Sequence, residues 1–265
     1  MTVEKMKKSP INISDFDAVF FDLDGTLYEG SKRIKGSNHI VNYMREKGKR
    51  VFFTTNNSTK TREQIYERLV KIGIDAELHE VLTSGYIAAD YAKKTNMRDI
   101  HIFGSVNLIH EFHQMGISVN QDTNAENLLI GYDPDMTYED LTRAVRVALN
   151  AKCIIACNKE KVYPGEQGLL FPGCGAMVAP VEWCSGKKAN LVIGKPNTIM
   201  IDYIAESHQI EHSRILVIGD TYESDIEMAK RSGSLSILIS KHDQNDVLSF
   251  PSVLEVYYYF LGQGA

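Results

Sequence analysis

Asp22 and Asp24 stand two residues apart in the pentad Asp22-Leu23-Asp24-Gly25-Thr26, directly after the apolar run Ala18-Val19-Phe20-Phe21. Two carboxylates placed where a buried strand runs out oppose each other's ionisation. Desolvation adds to that penalty unless a cation or hydrogen bonds offset it. One use of such a pair is an ionised nucleophile beside a partner that can carry a proton, with a hard metal ion nearby. The same residues also fit an Asp-Gly turn that closes a strand, so the pentad does not decide by itself.

Three more apolar runs end in residues suited to phosphate or metal. Val51-Phe52-Phe53 leads to Thr55 and the polar cluster Asn56-Asn57-Ser58, a composition suited to a phosphate-facing turn. Leu191-Val192-Ile193-Gly194 delivers Lys195 and Pro196, and Ile215-Leu216-Val217-Ile218-Gly219 delivers Asp220, with Asp225 five residues on. In open parallel sheets ligands gather beyond the carboxyl ends of the strands, so motifs far apart in sequence can meet in space. The ordered set of four is far more specific than any one of them.

With these residues the sequence resembles the haloacid dehalogenase superfamily. The matches are Asp22-Leu23-Asp24-Gly25-Thr26, Thr55, Lys195, and Gly219-Asp220 with Asp225. Their spacing, together with Phe171-Pro172-Gly173-Cys174-Gly175 leading to Ile193-Gly194-Lys195-Pro196, looks most like the NagD-like or p-nitrophenylphosphatase branch. The resemblance spans residues 16–240 and is loosest in the middle third. It implies a Rossmann-like three-layer α/β core with a parallel sheet, and an inserted α/β cap of the second type between the second and third motifs.

The activity expected on this basis is Mg²⁺-dependent hydrolysis of small phosphomonoesters through an aspartyl-phosphate. Asp22 is the expected nucleophile, and covalent catalysis divides one difficult step into two. Asp24 is expected to protonate the leaving alcohol and then take a proton from water, which requires a raised pKa. Thr55 and Lys195 are expected on the phosphoryl group, with Asn56, Asn57, Asn158 and Lys159 as further substrate contacts. An all-oxygen set from Asp22, the backbone carbonyl of Asp24, and Asp220 suits Mg²⁺ rather than zinc. Asp225 is expected to support Lys195 or a metal-bound water. Relatives often carry Asn-x-Asp and Gly-Thr-Gly where this chain has Asn158-Lys159-Glu160 and Gly173-Cys174-Gly175, so no substrate is carried over from them.

The elements that must position these residues alternate strand and helix, which implies right-handed crossovers and a parallel sheet. Tyr28 to Gly36 is too charged for a core and reads as a hairpin-like flap. Ser37 is expected to cap a helix that runs through Glu46, with Gly48 as its stop. Thr61-Arg62-Glu63-Gln64 fits a capping box, and Ile65, Leu69 and Ile72 recur at helical spacing before Gly73. Later, Asn197 is expected to cap a helix carrying Ile201, Ile204 and Ala205. Ser224-Asp225-Ile226-Glu227 fits another capping box, and a final helix is expected over Val253 to Leu261.

Between Ser84 and Lys187 strands are expected at His101-Ile102-Phe103, Leu128-Leu129-Ile130 and Cys153-Ile154-Ile155-Ala156, with helices over Gly85–Lys94, Val106–Gln114 and Tyr138–Asn150. A segment this long with its own apolar periodicity is a domain rather than a loop. The expected division is therefore a catalytic core of residues 1–83 plus 188–265, and a cap of residues 84–187 that sets substrate specificity.

A length of 265 residues suits one or two domains, and 43% hydrophobic with 24% charged residues reads as an ordinary globular protein. A net charge of −5 gives no electrostatic reason to expect nucleic acid or an anionic membrane as partner. A small phosphorylated metabolite is the expected partner, and relatives allow a homodimer through the cap. No run reaches the ~18 to 20 apolar residues of a membrane span, and Met1 to Pro10 is polar and basic, so a cytoplasmic protein is expected. Cys153, Cys157, Cys174 and Cys184 contain no CxxC pair and read as buried or half-buried free thiols. His110 and His113 lie three apart on one helix without a third ligand and read as a solvated face. Gly173-Cys174-Gly175 fits an anion cradle or a tight turn.

Two other functional classes fit part of this pattern. A phosphoacceptor or phosphate-sensing protein also uses a strand-end Asp with Thr and Lys, but it has no need of Asp24 as an acid/base. Another phosphoryl transfer on the same fold is the other alternative. Dehalogenation fits poorly, because that branch lacks the second Asp.

Overall fold

Short apolar runs bounded by polar turns become strands, and the amphipathic stretches between them become helices. A computed structural model describes residues 10–164, 169–242, 244 and 246–264; the polar, basic reading of residues 1–9 lies outside the described residues. The first elements are β1 (Ala18–Asp22), β2 (Tyr28–Glu29), β3 (Lys32–Arg33), α1 (Ser37–Glu46), β4 (Arg50–Thr55), α2 (Arg62–Lys71) and β5 (Val81–Thr83). Then come α3 (Ser84–Lys94), β6 (Ile100–Phe103), α4 (Val106–Gln114), β7 (Asn127–Ile130), α5 (Tyr138–Asn150), β8 (Cys153–Ala156), β9 (Val162–Pro164), β10 (Leu170–Pro172), α6 (Gly175–Ser185) and β11 (Leu191–Val192). The chain closes with α7 (Ile199–His208), β12 (Ile215–Gly219), α8 (Glu227–Ser232), β13 (Leu235–Ile239), β14 (Leu248–Phe250) and α9 (Val253–Leu261).

These elements fall into two compact units. One comprises the described residues of Met1–Thr55, Tyr66–Val81 and Lys195–Ala265, the other Asn56–Ile65 and Leu82–Gly194. The first unit holds a six-stranded sheet in the order β14-β13-β12-β1-β4-β5. β1 pairs in parallel with both β4 and β12, and β12-β13-β14 continue in parallel. β1 and β12 are buried along their whole length, as the central strands of a sheet covered on both faces must be. The tyrosine-rich α9 packs on α1: the Tyr43 hydroxyl donates to the Phe260 carbonyl at 2.9 Å, and Phe16 meets the Phe260 ring edge-on at 5.7 Å.

The second unit has its own parallel sheet, in the order β11-β8-β7-β6. Its core gathers Leu128, Ile130 and Ile154 from the sheet with Val147 of α5 and Met177, Val178 and Val181 of α6. A small antiparallel hairpin, β9 with β10, stacks Tyr163 on Phe171 with ring centroids 5.8 Å apart.

The flap forms as expected, with Tyr28 opposite Arg33 in an antiparallel pair. The Thr61 capping box also forms: the Thr61 amide donates to Gln64 Oε1 at 3.0 Å and the Gln64 amide to Thr61 Oγ1 at 3.2 Å.

Several local expectations need correction. Gly36, with φ of 99°, is the residue that caps α1, because a Cβ there would lie 2.7 Å from the Leu254 backbone. Ser37 Oγ instead donates to the carbonyls of Leu27 and Ile34, tying the flap to the helix. Thr198, not Asn197, precedes α7, and Thr198 Oγ1 donates to Asp202 Oδ2 at 2.7 Å. The Ser224 capping box does not form, since Tyr222–Ile226 is a wide π-type turn ahead of α8. The run Leu191-Val192 joins the second unit's sheet beside β8 rather than the sheet of β1. Ile72 is only half-buried, and Cys184 is exposed while Cys157 and Cys174 are buried. His110 and His113 are both exposed, as a solvated face requires. No helix among the described residues is long and apolar enough to cross a membrane.

Candidate active site

Asp22 is the last residue of β1, and Asp220 follows directly on β12, the neighbouring strand. Thr55 ends β4 on the other side, one residue beyond the register partner of Asp22, and is buried. Three central strands thus deliver their terminal residues to one end of the sheet, where a doubly wound fold places its ligands. The turn after β1 closes on itself: the Gly25 amide donates to the Tyr28 carbonyl at 2.8 Å and the Leu27 amide to the Leu23 carbonyl at 2.9 Å.

Lys195 is 3% exposed, and its ammonium donates to Asp22 Oδ1 and, at 2.6 Å, to Asp225 Oδ1. Asp225 in turn accepts the Thr221 amide on Oδ2 at 3.2 Å, so the π-type turn holds it toward Lys195. Gly219 permits this approach, since a Cβ there would sit 2.5 Å from the Asp225 Cβ. An ammonium so deeply buried keeps its proton because two carboxylates face it; burial alone pushes its pKa down, and Asp22 and Asp225 raise it past the usual lysine value.

Asp22, Asp220 and Asp225 each bring a carboxylate oxygen into a group whose members lie within 4.8 Å of one another. Burial raises the Asp22 carboxyl well above its usual range, and the charges of Asp225 and Asp220 add to that while Lys195 opposes it. Burial, then the charge of Asp225, pushes Asp220 up to about 6. Three carboxylates against one ammonium leave this pocket short of positive charge. A hard, oxygen-seeking cation fits that donor set and charge deficit.

Asp24 faces a different surround. Its Oδ2 accepts the Tyr28 hydroxyl at 3.2 Å, and its Oδ1 lies 4.0 Å from Arg68 Nη2. The Arg68 guanidinium lies over the Tyr28 ring, 4.0 Å from its centroid. The Asp24 side chain is 56% exposed, so its carboxyl is raised by partial desolvation and held back by Arg68 and by the Tyr28 hydrogen bond. Tyr28 and Arg68 were not singled out in the sequence; Tyr28 opens the flap four residues after Asp24, whereas Arg68 looks like any cation in a helix's last turn.

The chain as a whole is similar to known proteins. Residues 19–118 match the family of haloacid dehalogenase-like hydrolases, and residues 192–251 match the HAD-hydrolase-like family. An acid sugar phosphatase of Staphylococcus aureus is 34% identical over 215 residues, 81% of this chain and 82% of that protein. The chain belongs to the haloacid dehalogenase-like hydrolases. The structure of a 4-nitrophenylphosphatase from Thermotoga maritima superposes with a TM-score of 0.87 at 27% identity, covering 94% of this chain and 98% of that one. A p-nitrophenyl phosphatase from Archaeoglobus fulgidus gives 0.85 at 25% identity, covering 92% and 99%. Within the haloacid dehalogenase superfamily the chain is thus a NagD-like phosphatase, an enzyme of the phosphoric monoester hydrolase class.

Of the residues this hydrolase was expected to use, Asp22, Asp24, Thr55, Lys195, Asp220 and Asp225 all belong to the first unit. Asn56, Asn57, Asn158 and Lys159 belong to the second and are engaged there. Asn56 Nδ2 donates to Glu160 Oε1 at 2.7 Å, and its carbonyl accepts from Asn158 Nδ2 at 2.7 Å and from Ser84 Oγ at 2.7 Å. Asn57 Oδ1 accepts the amides of Thr59 and Lys60, both at 2.9 Å, closing the turn before α2. The Lys159 ammonium donates to Glu182 Oε1 at 2.6 Å, and Glu182 also takes Lys188 and the Ala189 amide. Burial works against the Glu182 charge, but these three donors outweigh it and hold its pKa down at about 2. Gly173 and Gly175 serve packing: a Cβ on either would fall 2.5 and 2.7 Å from the Glu160 carbonyl oxygen. That close approach makes the segment a tight turn against residues 159–160.

Proposed function

We propose that the protein hydrolyses small phosphomonoesters with Mg²⁺ through an aspartyl-phosphate on Asp22. The observation that carries this reading is the Asp22 carboxylate held by Lys195 at the end of β1, with a second, separately engaged carboxylate at Asp24. In the first step an oxygen of Asp22 attacks phosphorus, the bond from phosphorus to the leaving oxygen breaks, and Asp24 gives that oxygen its proton. In the second, water attacks phosphorus, Asp24 takes the proton from water, and the bond to Asp22 breaks to release phosphate. Lys195 offsets charge on Asp22 and the phosphoryl oxygens, and Thr55 offers a hydroxyl to one of them. Asp22, Asp220 and the Asp24 carbonyl would hold Mg²⁺, with Asp225 supporting Lys195. Bound there, the ion supplies positive charge that lets a phosphate dianion approach a carboxylate.

The names of the relatives point to sugar phosphates and to p-nitrophenyl phosphate as substrates, and a small phosphorylated metabolite is the class proposed here. Residues 84–187 are proposed as the cap that selects among such substrates. The test is hydrolysis of a panel of sugar phosphates, nucleotides and p-nitrophenyl phosphate by wild type and Asp22→Asn, with and without Mg²⁺. The proposal requires Mg²⁺-dependent phosphate release that Asp22→Asn abolishes. Release that survives in the variant or under chelation counts against it.

A further inference from the structure

One cavity on the first unit is not used by the chemistry above. It is an open depression lined by Ser31, Lys32 and Arg33 of the flap and by Arg68, Lys71 and Ile72 at the end of α2, with a volume of about 520 Å³, a size suited to a metabolite. Four of its six lining residues are cations in a chain whose net charge is −5. Among the described residues Lys32, Arg33 and Lys71 have no ion-pair partner within 4 Å, and Glu29, opposite Lys32 across the hairpin, is not drawn into a pair with it. Arg33 Nη1 donates to the Gly73 carbonyl at 2.7 Å and Arg68 Nη2 to the Gly30 carbonyl, so each guanidinium group is tethered to backbone at the cavity wall. Each guanidinium has five donors, and these contacts engage only part of them.

Like charges gathered in a concave wall repel one another, and the wall focuses their field on whatever enters. Holding them in place is favourable when an anion with several charges sits among them. Planar, pre-fixed guanidinium groups suit carboxylate or phosphate oxygens in particular.

We propose that this cavity is a binding site for a small polyanion, a molecule carrying two or more phosphate or carboxylate groups. Arg68 is shared between the cavity and the Asp24 surround, so an anion held here would draw on the same guanidinium that faces Asp24. The site does not depend on the proposed chemistry, and its test reads binding rather than turnover.

The experiment is calorimetric titration of the full chain, in metal-free buffer, with two probes: pyrophosphate, and benzene-1,3,5-tricarboxylate, which cannot be a phosphatase substrate. Three proteins are compared: wild type, Lys32→Gln with Lys71→Gln, and Lys93→Gln with Lys94→Gln. The last loses the same charge at the end of α3. The expected result is saturable binding to wild type that weakens by about tenfold in the cavity variant and is unchanged in the α3 variant. Loss for both probes identifies a general polyanion site, and loss for pyrophosphate alone a phosphate site. A circular dichroism spectrum and a thermal melt matching wild type check that the cavity variant is folded, and Lys71→Gln alone replaces it if it is not. Absence of binding by either probe, equal affinity in wild type and the cavity variant, or an equal loss in the α3 variant overturns the proposal.

Discussion

The Asp220 carboxylate lies directly against Gly25, so that a Cβ at position 25 would come within 2.7 Å of Asp220 Cγ. Gly25 also has φ of 88°, a conformation open to glycine and strained for other residues. Two requirements thus meet at one residue: the turn after Asp22 must reverse sharply, and it must leave room for a carboxylate from the adjacent strand.

Gly25→Ala should therefore lose both stability and activity. Backbone strain of this kind costs on the order of 1–3 kcal/mol, and displacing Asp220 should cut kcat at least tenfold while raising the Mg²⁺ needed for half-maximal rate. Urea unfolding and a metal titration check the two parts separately. An active, fully stable alanine variant would show that neither the turn nor Asp220 is held as described.

Lys195→Met should destabilise the fold by about 3–5 kcal/mol at neutral pH, because it leaves Asp22 and Asp225 buried without their shared cation. Combining it with Asp225→Asn should recover part of that loss, since one of the stranded charges is gone. Unfolding curves for the two singles and the double give the coupling. Strict additivity would argue against the three-residue contact.

A pH effect on stability should come from Glu111 in the second unit. Its side chain is buried and accepts the Arg62 amide on Oε2 at 2.8 Å, at the start of α2. Burial pushes its pKa up to about 7 from an ordinary value of 4.5, the hydrogen bond opposing only in part. The folded state then binds the proton more tightly than the unfolded one, so stability is greatest below about 4.5 and declines as pH rises through about 7. Glu111→Gln, which can still accept the amide, should flatten that slope. Thermal melts of both proteins from pH 4 to 8 check it; parallel curves would place the titration elsewhere.

Much of this architecture was legible because apolar runs and helical spacing are local properties. The bounds of α4, α5 and α9 agree with those expected from the sequence. What periodicity could not reveal is which sheet a run joins: Leu191-Val192 has the same apolar character as the core strands, yet it pairs with β8. Caps fail for a related reason. Gly36 stands where Leu254, more than two hundred residues away, leaves no room for a Cβ, and Asp225, in a π-type turn, meets Lys195 thirty residues away in sequence. At the site, Asp22, Thr55, Lys195 and Asp220 carried distinctive residue types at strand ends, whereas Arg68 became visible only once its guanidinium was seen over Tyr28 beside Asp24.

The central claim is the covalent intermediate on Asp22, and trapping it is the most direct measurement. Wild-type protein mixed with a phosphomonoester and Mg²⁺, quenched in acid and reduced with borohydride, should yield homoserine at position 22 in its peptide mass spectrum. With p-nitrophenyl phosphate, whose leaving group needs no proton, Asp24→Asn should be slowed mainly in the second step and accumulate more of it, and Asp22→Asn should give none. Sustained phosphate release with no modification at position 22, or a rate for Asp22→Asn above roughly a hundredth of wild type, would contradict the assignment.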